Sequence, residues 1–387
     1  MSAPRLPLRL PPPVADGVDV LIVAGEHSGD QHAATMVRGM LAQQPGLRIA
    51  ALGGPELAAA GAQVLHDLTA TSVVGLVEVL KNFRFFRALF AETVNWIATH
   101  RPRVVCFVDY PGLNLRVAAE LRQRGLSVQG GGDIRCVYYI SPQIWAWKAR
   151  RRFTMARDLD ALAVIFPFEV ECYADTRLPV EFVGHPFVTG HYAAPVRYDP
   201  AGPILLLPGS RRQAVRRIFP VLLAGFRALG EREAVALYPS DDIRATLAEF
   251  PLPAQMQLHP TGTPLAASAV LTSSGTMSMH CALAGIPGAV VYRANPLTYL
   301  IGRLLVKVPY LGIANLLLPE PMYPELIQGA ATPDALAKEL RACLHDPARR
   351  ERTTAQAAQL HTTLHQPATG TAAEWLLREW QTARTGA

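Results

Sequence analysis

The sequence lacks long apolar runs. None of its 387 residues belongs to a stretch that approaches the roughly 18 uninterrupted apolar residues of a membrane-spanning helix. A polytopic membrane protein is therefore excluded. The N-terminal segment is rich in proline and has no continuous apolar core of the kind a signal peptide requires. We therefore expect residues 1–18 to form a loose leader and the protein not to be secreted.

Cysteine pairs, metal-site spacing and common nucleotide fingerprints are also missing. The five cysteines include no C-x-x-C pair, and Cys106 and Cys136 lie inside apolar runs, which favours buried free thiols in a reducing compartment. His185, His259 and His280 are isolated from one another, so we predict no metal and no cofactor. Neither G-x-G-x-x-G nor a Walker A sequence occurs, which argues against hydride transfer and nucleotide hydrolysis.

Charge is scarce but unbalanced. Charged residues make up 18% of the chain and hydrophobic residues 50%, which is too apolar for a disordered protein. The net charge of +6 suits an anionic partner, whether nucleic acid, a phosphorylated substrate or an anionic membrane face. Apart from a local cluster at Lys148 to Arg152, the basic residues form no extended stripe, so nucleic acid is the least favoured of these partners.

Apolar runs alternate with helical patterns along most of the chain, which predicts parallel, doubly wound α/β sheets. The length exceeds what one hydrophobic core usually serves, so we expect two domains with a ligand cleft between them. Proline, glycine and alanine collect shortly before the run ILLLPGS, and we place the junction there. The resulting domains span residues 19–195 and 196–365, and 366–387 form an amphipathic helix that could close the structure.

The first candidate loop is GEHSGD, which follows the apolar run VLIVA. Its glycines allow close approach of the backbone to a ligand, and the helix that follows offers unpaired N–H groups to anions or sugar hydroxyls. Glu26, Ser28 and Gly29 are the candidate site residues. An ordinary turn capped by Ser28 or Asp30 is an equally good interpretation.

The second candidate loop is DYPGLN, directly after VVCFV. A carboxylate at the mouth of a buried strand can act as a general base, because partial desolvation raises its proton affinity. Asp109 is the candidate base and Asn114 a candidate substrate contact. The alternative is that Asp109 merely forms a turn and caps the next helix.

The third candidate site is divided between LPGSR and TSSGT, each of which joins a predicted strand to a predicted helix. Together they supply backbone N–H groups, hydroxyls and one guanidinium, a combination that suits a pyrophosphate without a metal ion. The contributing residues are Ser210, Arg211, Ser274, Gly275 and Thr276.

Aromatic and basic residues interleave from Val73 to Ala98. Such a helix suits the edge of an anionic bilayer and could receive acyl chains. A helix packed on the core with a solvated basic face explains the pattern equally well.

Taken in order and spacing, these segments resemble the lipid A disaccharide synthase family over about Val20 to Gln328. The resemblance implies a GT-B fold, in which two Rossmann-like doubly wound domains face a central cleft. The N-terminal domain would bind the acceptor and its lipid, the C-terminal domain would bind the UDP-sugar, and residues 366–387 would pack back on the N-terminal domain. The segments that carry the resemblance are GEHSGD, VVGLVEVL, DYPGLN, YYISPQIWAWK, FPFE, FVGHP, LPGSR, SSGTMSMH and ANLLLPE to ELIQ.

The resemblance also implies an activity. The family transfers 2,3-diacylglucosamine from its UDP conjugate to 2,3-diacylglucosamine 1-phosphate, with inversion to a β-1,6 linkage and release of UDP. It implies a peripheral enzyme on the cytoplasmic face of the inner membrane. Asp109 would be the general base, Arg211 would balance charge on the departing diphosphate, Glu26 would be functionally important, and Asn315 would lie near the donor.

The chain departs from the family pattern at three positions. Ala214 stands where an acidic residue is usual, His280 where a glutamate commonly grips the ribose, and Gly112 where some relatives carry a second acidic residue. A neutral imidazole at His280 can still accept one hydrogen bond from the donor. These changes keep two alternatives open: a catalytically decayed relative that binds nucleotide or lipid, and another GT-B enzyme such as a UDP-N-acetylglucosamine epimerase.

Overall fold

The computed structural model describes residues 8–70, 83–188, 193–230, 232–295, 299–300 and 308–386. The chain divides into two compact units. The first ends at Pro186 and also includes the C-terminal segment from Gln366, whereas the second spans Phe187–His365. The division after Pro186 comes earlier in the chain than the boundary expected after residue 195.

A parallel sheet forms the centre of the first unit. Its strands follow the spatial order β3-β2-β1-β4-β5-β6-β7. The central strands are buried along their whole length and read as continuous apolar runs, as expected for a sheet covered on both faces. The strands are β1 (Val20–Ala24), β2 (Ile49–Gly53), β3 (Gln63–Asp67), β4 (Val104–Val108), β5 (Arg135–Tyr139), β6 (Ala161–Val164) and β7 (Val180–Phe182).

Helices connect these strands. Parallel neighbours need such crossovers, because a short turn cannot return the chain to the same edge of the sheet. The helices of this part of the chain are α1 (His27–Gln43), α2 (Pro55–Ala59), α3 (Phe83–His100), α4 (Pro111–Gln123) and α5 (Arg151–Asp158).

Helix α3 covers most of the segment for which membrane contact and core packing were equally good predictions. Phe85, Phe86 and Phe90 are half-buried and pack against the core of the first unit, while Arg84 and Arg87 are exposed. The described part of α3 therefore follows the core-packed alternative. Residues 71–82 and the side chain at position 83 lie outside the described residues.

The second unit has its own parallel sheet, in the order β11-β10-β9-β13-β14-β15, and a two-stranded sheet of β8 and β12. The strands are β8 (Val196–Tyr198), β9 (Ile204–Leu207), β10 (Ala234–Tyr238), β11 (Met256–Pro260), β12 (Leu265–Ala267), β13 (Ala269–Thr272), β14 (Gly288–Tyr292) and β15 (Glu325–Ile327). The helices are α6 (Arg212–Leu229), α7 (Asp241–Ala248), α8 (Thr276–Leu283), α9 (Ile313–Leu317), α10 (Pro333–His345) and α11 (Pro347–Leu364). The predicted fold class, with two Rossmann-like doubly wound domains, is thus confirmed.

The last helix, α12 (Ala372–Thr385), belongs to the first unit. It begins with a capping box between Thr371 and Glu374, and its Trp375 is fully buried. Glu379 forms an ion pair with Arg135 of β5, which ties the helix to the sheet.

Among the described residues, no helix combines the length and the apolar character needed to cross a bilayer. The cysteines are all free, and four are buried, as predicted for structural thiols: Cys106, Cys136, Cys281 and Cys343. Burial raises the pKa of each of these four thiols, which keeps them protonated and unreactive.

Candidate functional site

The strand order of the first sheet changes direction between β1 and β4. In an open parallel sheet, ligands bind at such a switch point, beyond the carboxyl ends of the strands. The loop after β1 carries Glu26, and the loop after β4 carries Asp109. Two loops that are far apart in the sequence therefore meet at the one crevice of this unit where the fold itself favours a ligand.

The two loops pack against each other where Gly25 of the first meets the ring of Tyr110 of the second. A Cβ atom added to Gly25 would lie 2.2 Å from Cδ1 of Tyr110, so only glycine allows the ring to pack there. Asp109 and Tyr110 both have left-handed backbone conformations, with φ of 45° and 49°. Consecutive non-glycine residues in this region are strained, and such strain clusters at functional sites. Burial, together with the nearby Glu26, raises the pKa of the Tyr110 hydroxyl.

The main chain of Asp109 is held from three sides. Its N–H donates to the carbonyl oxygen of Tyr139, with 3.0 Å between nitrogen and oxygen. Its own carbonyl oxygen accepts hydrogen bonds from the hydroxyl of Tyr138 and from Nδ2 of Asn114. The residue is half-buried at the end of β4. A carboxylate on a fixed backbone at a strand mouth is suited to a positioned general base.

Asn114 lies buried beside Asp109. Its side chain is fully buried, and Nδ2 contacts the carbonyl oxygens of Val23, Val108 and Asp109. That Asn114 contacts substrate stays a prediction. Because its amide is turned toward the ends of β1 and β4, Asn114 acts on the site by holding Asp109.

The first candidate loop leads directly into α1. Glu26 is the N-cap residue but makes no side-chain capping bond, and both Glu26 and Ser28 are half-buried. Gly29 is buried close to β4: an added Cβ would lie 3.8 Å from the carbonyl oxygen of Val108. Glu26 and Ser28 are thus the partly accessible members of this loop.

Asp30 does not cap α1, as the alternative interpretation of this loop allowed. Its buried carboxylate accepts hydrogen bonds from the main-chain N–H groups of Gly54, Glu56 and Leu57, at 2.8 to 3.3 Å. These groups belong to the first turn of α2, so Asp30 stabilises a neighbouring helix. The capping alternative is wrong for Asp30.

Glu169 is a buried carboxyl group that the sequence reasoning missed. It accepts hydrogen bonds from Nε1 of Trp145 and from the N–H of Phe166, both at 3.2 Å. Burial is the main cause that raises its pKa to about 7, and the charge of Asp109 adds to the effect. The tetrapeptide FPFE contains Glu169 and was one of the resemblance segments, so a signal existed, but no role followed from it.

The second unit has its own switch point, between β9 and β13. The loop after β9 contains Ser210 and Arg211, both exposed, and the loop after β13 contains the half-buried Ser274 and the exposed Gly275. The predicted pairing of LPGSR with TSSGT is therefore what the sheet produces, because β9 and β13 are hydrogen-bonded neighbours.

Two helices begin at this second crevice. Arg211 is the N-cap residue of α6 and Gly275 that of α8, and Thr276 is the first residue of α8. The side chain of Arg211 makes no capping bond and Gly275 has no side chain, so neither N-cap residue uses a side chain to bind the first main-chain N–H groups of its helix. Helix N-termini of this kind bind phosphate, and Arg211 adds a permanent positive charge.

His280 and Asn315 are both buried in the second unit. His280 is 9% exposed and its ring packs on Phe187, with 4.0 Å between ring centroids. Asn315 is buried: its amide donates to the carbonyl oxygen of Tyr323 and to Oε1 of Glu325, and its oxygen accepts from the N–H of Tyr323. These bonds hold the segment between α9 and β15 together, and the assignment of Asn315 as a donor contact stays a prediction.

Across the described ranges, no group of three or more histidine, cysteine, aspartate or glutamate side chains is arranged to hold a metal ion. The loops at the two switch points carry different charges: carboxylates in the first unit, and a guanidinium with helix N-termini in the second.

Comparisons with known proteins identify the family of this chain. Residues 20–379 match the family model of lipid-A-disaccharide synthetase. A relative in Geobacter metallireducens, a lipid-A-disaccharide synthase, is 36% identical over 364 residues, which cover 88% of this chain and 91% of the relative.

Solved structures show the same architecture at low sequence identity. The glycosyltransferase of kitacinnamycin superposes on this chain with a TM-score of 0.57 at 16% sequence identity. The superposition covers 95% of this chain and all of the glycosyltransferase chain. A protein from Listeria monocytogenes assigned as a UDP-N-acetylglucosamine 2-epimerase gives a TM-score of 0.61 at 11% identity, with 96% and 98% of the two chains covered. At these identities the likeness establishes the GT-B fold alone.

Proposed function

The chain belongs to the lipid-A-disaccharide synthase family, a group of GT-B hexosyltransferases, and from that membership we propose its substrates, its site residues and its location. The donor is UDP-2,3-diacylglucosamine and the acceptor is 2,3-diacylglucosamine 1-phosphate. The products are a β-1,6-linked disaccharide 1-phosphate and UDP.

Asp109 is the general base of the proposed reaction. Its carboxylate takes the proton of the acceptor 6-hydroxyl while that oxygen attacks the anomeric carbon of the donor. The bond between the anomeric carbon and the diphosphate oxygen breaks on the opposite side, and the electron pair leaves with UDP. One in-line displacement converts an α-linked donor into a β-linked product. The fixed main chain of Asp109 supports this role, because a base must be positioned before the hydroxyl arrives.

The departing diphosphate is stabilised in the second unit. Arg211 supplies a guanidinium, and the N-termini of α6 and α8 supply main-chain N–H groups, with Ser210, Ser274 and Thr276 as hydroxyl donors. Charge on the leaving group is then neutralised by the protein itself, so we propose that neither a metal nor a cofactor takes part.

Two residues of the first loop bind the acceptor sugar in this proposal. Glu26 and Ser28 are half-buried and can hydrogen-bond hydroxyl groups of the acceptor, and Gly29 keeps the backbone close to β4. We place the enzyme on the cytoplasmic face of the inner membrane as a peripheral protein, because both substrates carry acyl chains. Nucleic acid is not among the proposed partners.

The two alternatives have less support. A decayed relative would not need Glu26, Asp109 and Arg211 together, and all three are present at the two switch points. An epimerase shares the fold, but at 11% identity that likeness carries no activity.

The test is an assay of disaccharide formation and UDP release with the two proposed substrates, for the native enzyme and for Asp109→Asn. Loss of the base should lower kcat about 10²- to 10⁴-fold, while the affinity for UDP stays unchanged. Asp133→Asn, in an exposed loop before β5, is the matched control and should behave as the native enzyme. UDP release without acceptor, or equal loss of turnover and UDP affinity in Asp109→Asn, would contradict the proposal.

A further inference from the structure

Four of the seven large apolar side chains that are exposed within the described ranges lie between residues 147 and 170. They are 38% to 47% exposed, and they are Trp147, Phe153, Phe168 and Val170. Single exposed apolar residues are normal on a protein surface, whereas a concentration of them in one segment marks an interaction surface.

These side chains share one edge of the first sheet, the edge formed by the carboxyl ends of its strands. Trp147 follows β5, Phe153 lies in the first turn of α5, and Phe168 follows β6. Contacts connect the three segments: the rings of Trp145 and Phe168 meet edge to face with centroids 5.5 Å apart, and Asp175, which follows β6 further along the chain, pairs with Arg152 of α5. Since β4 is the next strand to β5, this edge is also the one that carries Asp109.

Basic side chains surround the exposed rings. Nζ of Lys148 lies 4.4 Å from the ring centroid of Trp147, and the guanidinium of Arg151 lies 5.5 Å from the same ring. Arg152 pairs with Asp175 at 2.6 Å, but Lys148, Arg150 and Arg151 form no ion pair within the described part of the chain. Three positive charges are therefore left for an external partner.

We propose that this surface docks the enzyme on an anionic phospholipid bilayer. We call it the aromatic-basic patch and define it as Trp147, Lys148, Arg150, Arg151, Phe153, Phe168 and Val170. Aromatic rings insert at the level of the lipid headgroups, and lysine and arginine are attracted by anionic lipids, so the two residue types together match this partner.

The location of the patch agrees with the reaction, and in this respect the inference rests on the proposed function. The reacting hydroxyl belongs to a lipid, so the edge that holds the base must come close to the membrane. The patch places the bilayer beside Asp109 on the same unit. Glu171 is an exposed carboxylate in the neighbouring turn, and it opposes only part of the positive charge.

Two sets of substitutions separate the apolar and the electrostatic contributions. W147S/F153S/F168S removes the rings, and K148E/R150E reverses two charges at the start of α5, where acidic residues favour the helix. V14S/V128S/L300S changes the other three exposed apolar residues, and K338E/R352E reverses two exposed charges in the second unit. These two variants are the matched controls.

Binding is measured by sedimentation with vesicles of phosphatidylcholine and phosphatidylglycerol, and with vesicles of phosphatidylcholine alone. The native protein should bind the anionic vesicles, and the affinity should fall as salt is added. Each patch variant should bind at least about tenfold more weakly, while both controls bind as the native protein does. Thermal unfolding of every variant checks that the fold is kept.

Native-like vesicle binding by folded patch variants would overturn the proposal. So would binding of a ribo-oligonucleotide that is lost in K148E/R150E while vesicle binding is kept, because the occupant would then be nucleic acid. Turnover on substrates dispersed in detergent distinguishes this inference from the proposed function. Patch variants should keep native turnover there and lose it on vesicle-embedded acceptor, whereas a native enzyme inactive in detergent would refute the proposed function and leave vesicle binding as an independent result.

Discussion

Nδ2 of Asn114 lies 2.7 Å from the main-chain carbonyl oxygen of Asp109 and donates a hydrogen bond to it. The same amide contacts the carbonyl oxygens of Val23 and Val108, each at 3.3 Å. One buried side chain thus ties the ends of β1 and β4 together and fixes the residue proposed as the base. A buried position next to the proposed base can therefore control how well the base is aligned.

Replacing Asn114 with alanine should remove the amide donor that these buried carbonyl oxygens share, and leave only the Tyr138 hydroxyl on the carbonyl oxygen of Asp109. We expect a loss of about 1–3 kcal/mol in the free energy of unfolding and a decrease in kcat with little change in KM. Chemical denaturation and steady-state kinetics measure the two effects. Asn114→Asp should be worse than alanine, because it places carboxylate oxygens against carbonyl oxygens. Asn95→Ala, on the exposed face of α3, is the control. A folded Asn114→Ala enzyme with native kcat would rule out the positioning role.

Glu169 should make stability depend on pH. Its folded-state pKa of about 7 is above the ordinary glutamate value of 4.5, so between these values the folded protein binds more protons than the unfolded chain. Stability contributed by the protonated form is therefore lost as the pH rises from about 5 through 7. Glu169→Gln should flatten this part of the stability profile, measured as Tm between pH 5 and pH 8. An equal slope in both proteins would show that Glu169 is not the group responsible.

Arg211 should act on the donor side of the reaction. Arg211→Ala removes the guanidinium at the second switch point, and we expect kcat/KM for the UDP-sugar to fall about 10²-fold or more. Arg211→Lys should recover only part of it, because an ammonium group cannot bind a phosphate with two parallel hydrogen bonds. Arg212→Ala, one residue further along the same exposed helix start, is the control.

Turnover should continue in EDTA, because the proposed site neutralises the diphosphate with protein groups. A strict need for Mg²⁺ would contradict neutralisation of the diphosphate by the protein alone.

Asn315 should matter for the fold more than for the donor. Its three hydrogen bonds hold Tyr323 and Glu325, so Asn315→Ala should lower Tm by several degrees, with UDP affinity unchanged in the folded fraction. Gln359→Ala, exposed on α11, should change neither quantity. Calorimetry and UDP titration on the same samples decide the matter. A variant with native Tm and weakened UDP binding would support Asn315 as a donor contact.

The sequence predicted the strands and the chemistry of their loops, because buried parallel strands are continuous apolar runs and the loops carry glycine, serine and charge. It could not order the strands. Only the pairing of β1 with β4, and of β9 with β13, shows that each pair of loops meets at a switch point.

The direction in which a side chain points could not be predicted from the sequence either. Asn114 follows a candidate base by a few residues, and Asn315 lies in a resemblance segment, yet both amides turn into the protein to satisfy main-chain groups. Burial of this kind depends on contacts with residues distant in the chain. Glu169 was missed for the same reason, since nothing in the local sequence FPFE shows that Trp145 will donate to its carboxylate.

The return of α12 to the first unit has a consequence for synthesis. Trp375 and Glu379 of that helix complete the packing beside β5, but they are synthesised only after the whole second unit. The second unit is one uninterrupted piece of chain and can reach its final structure earlier. The unit whose translation begins first is thus the unit that matures last, and a nascent chain stopped short of α12 would expose the apolar surface that Trp375 covers.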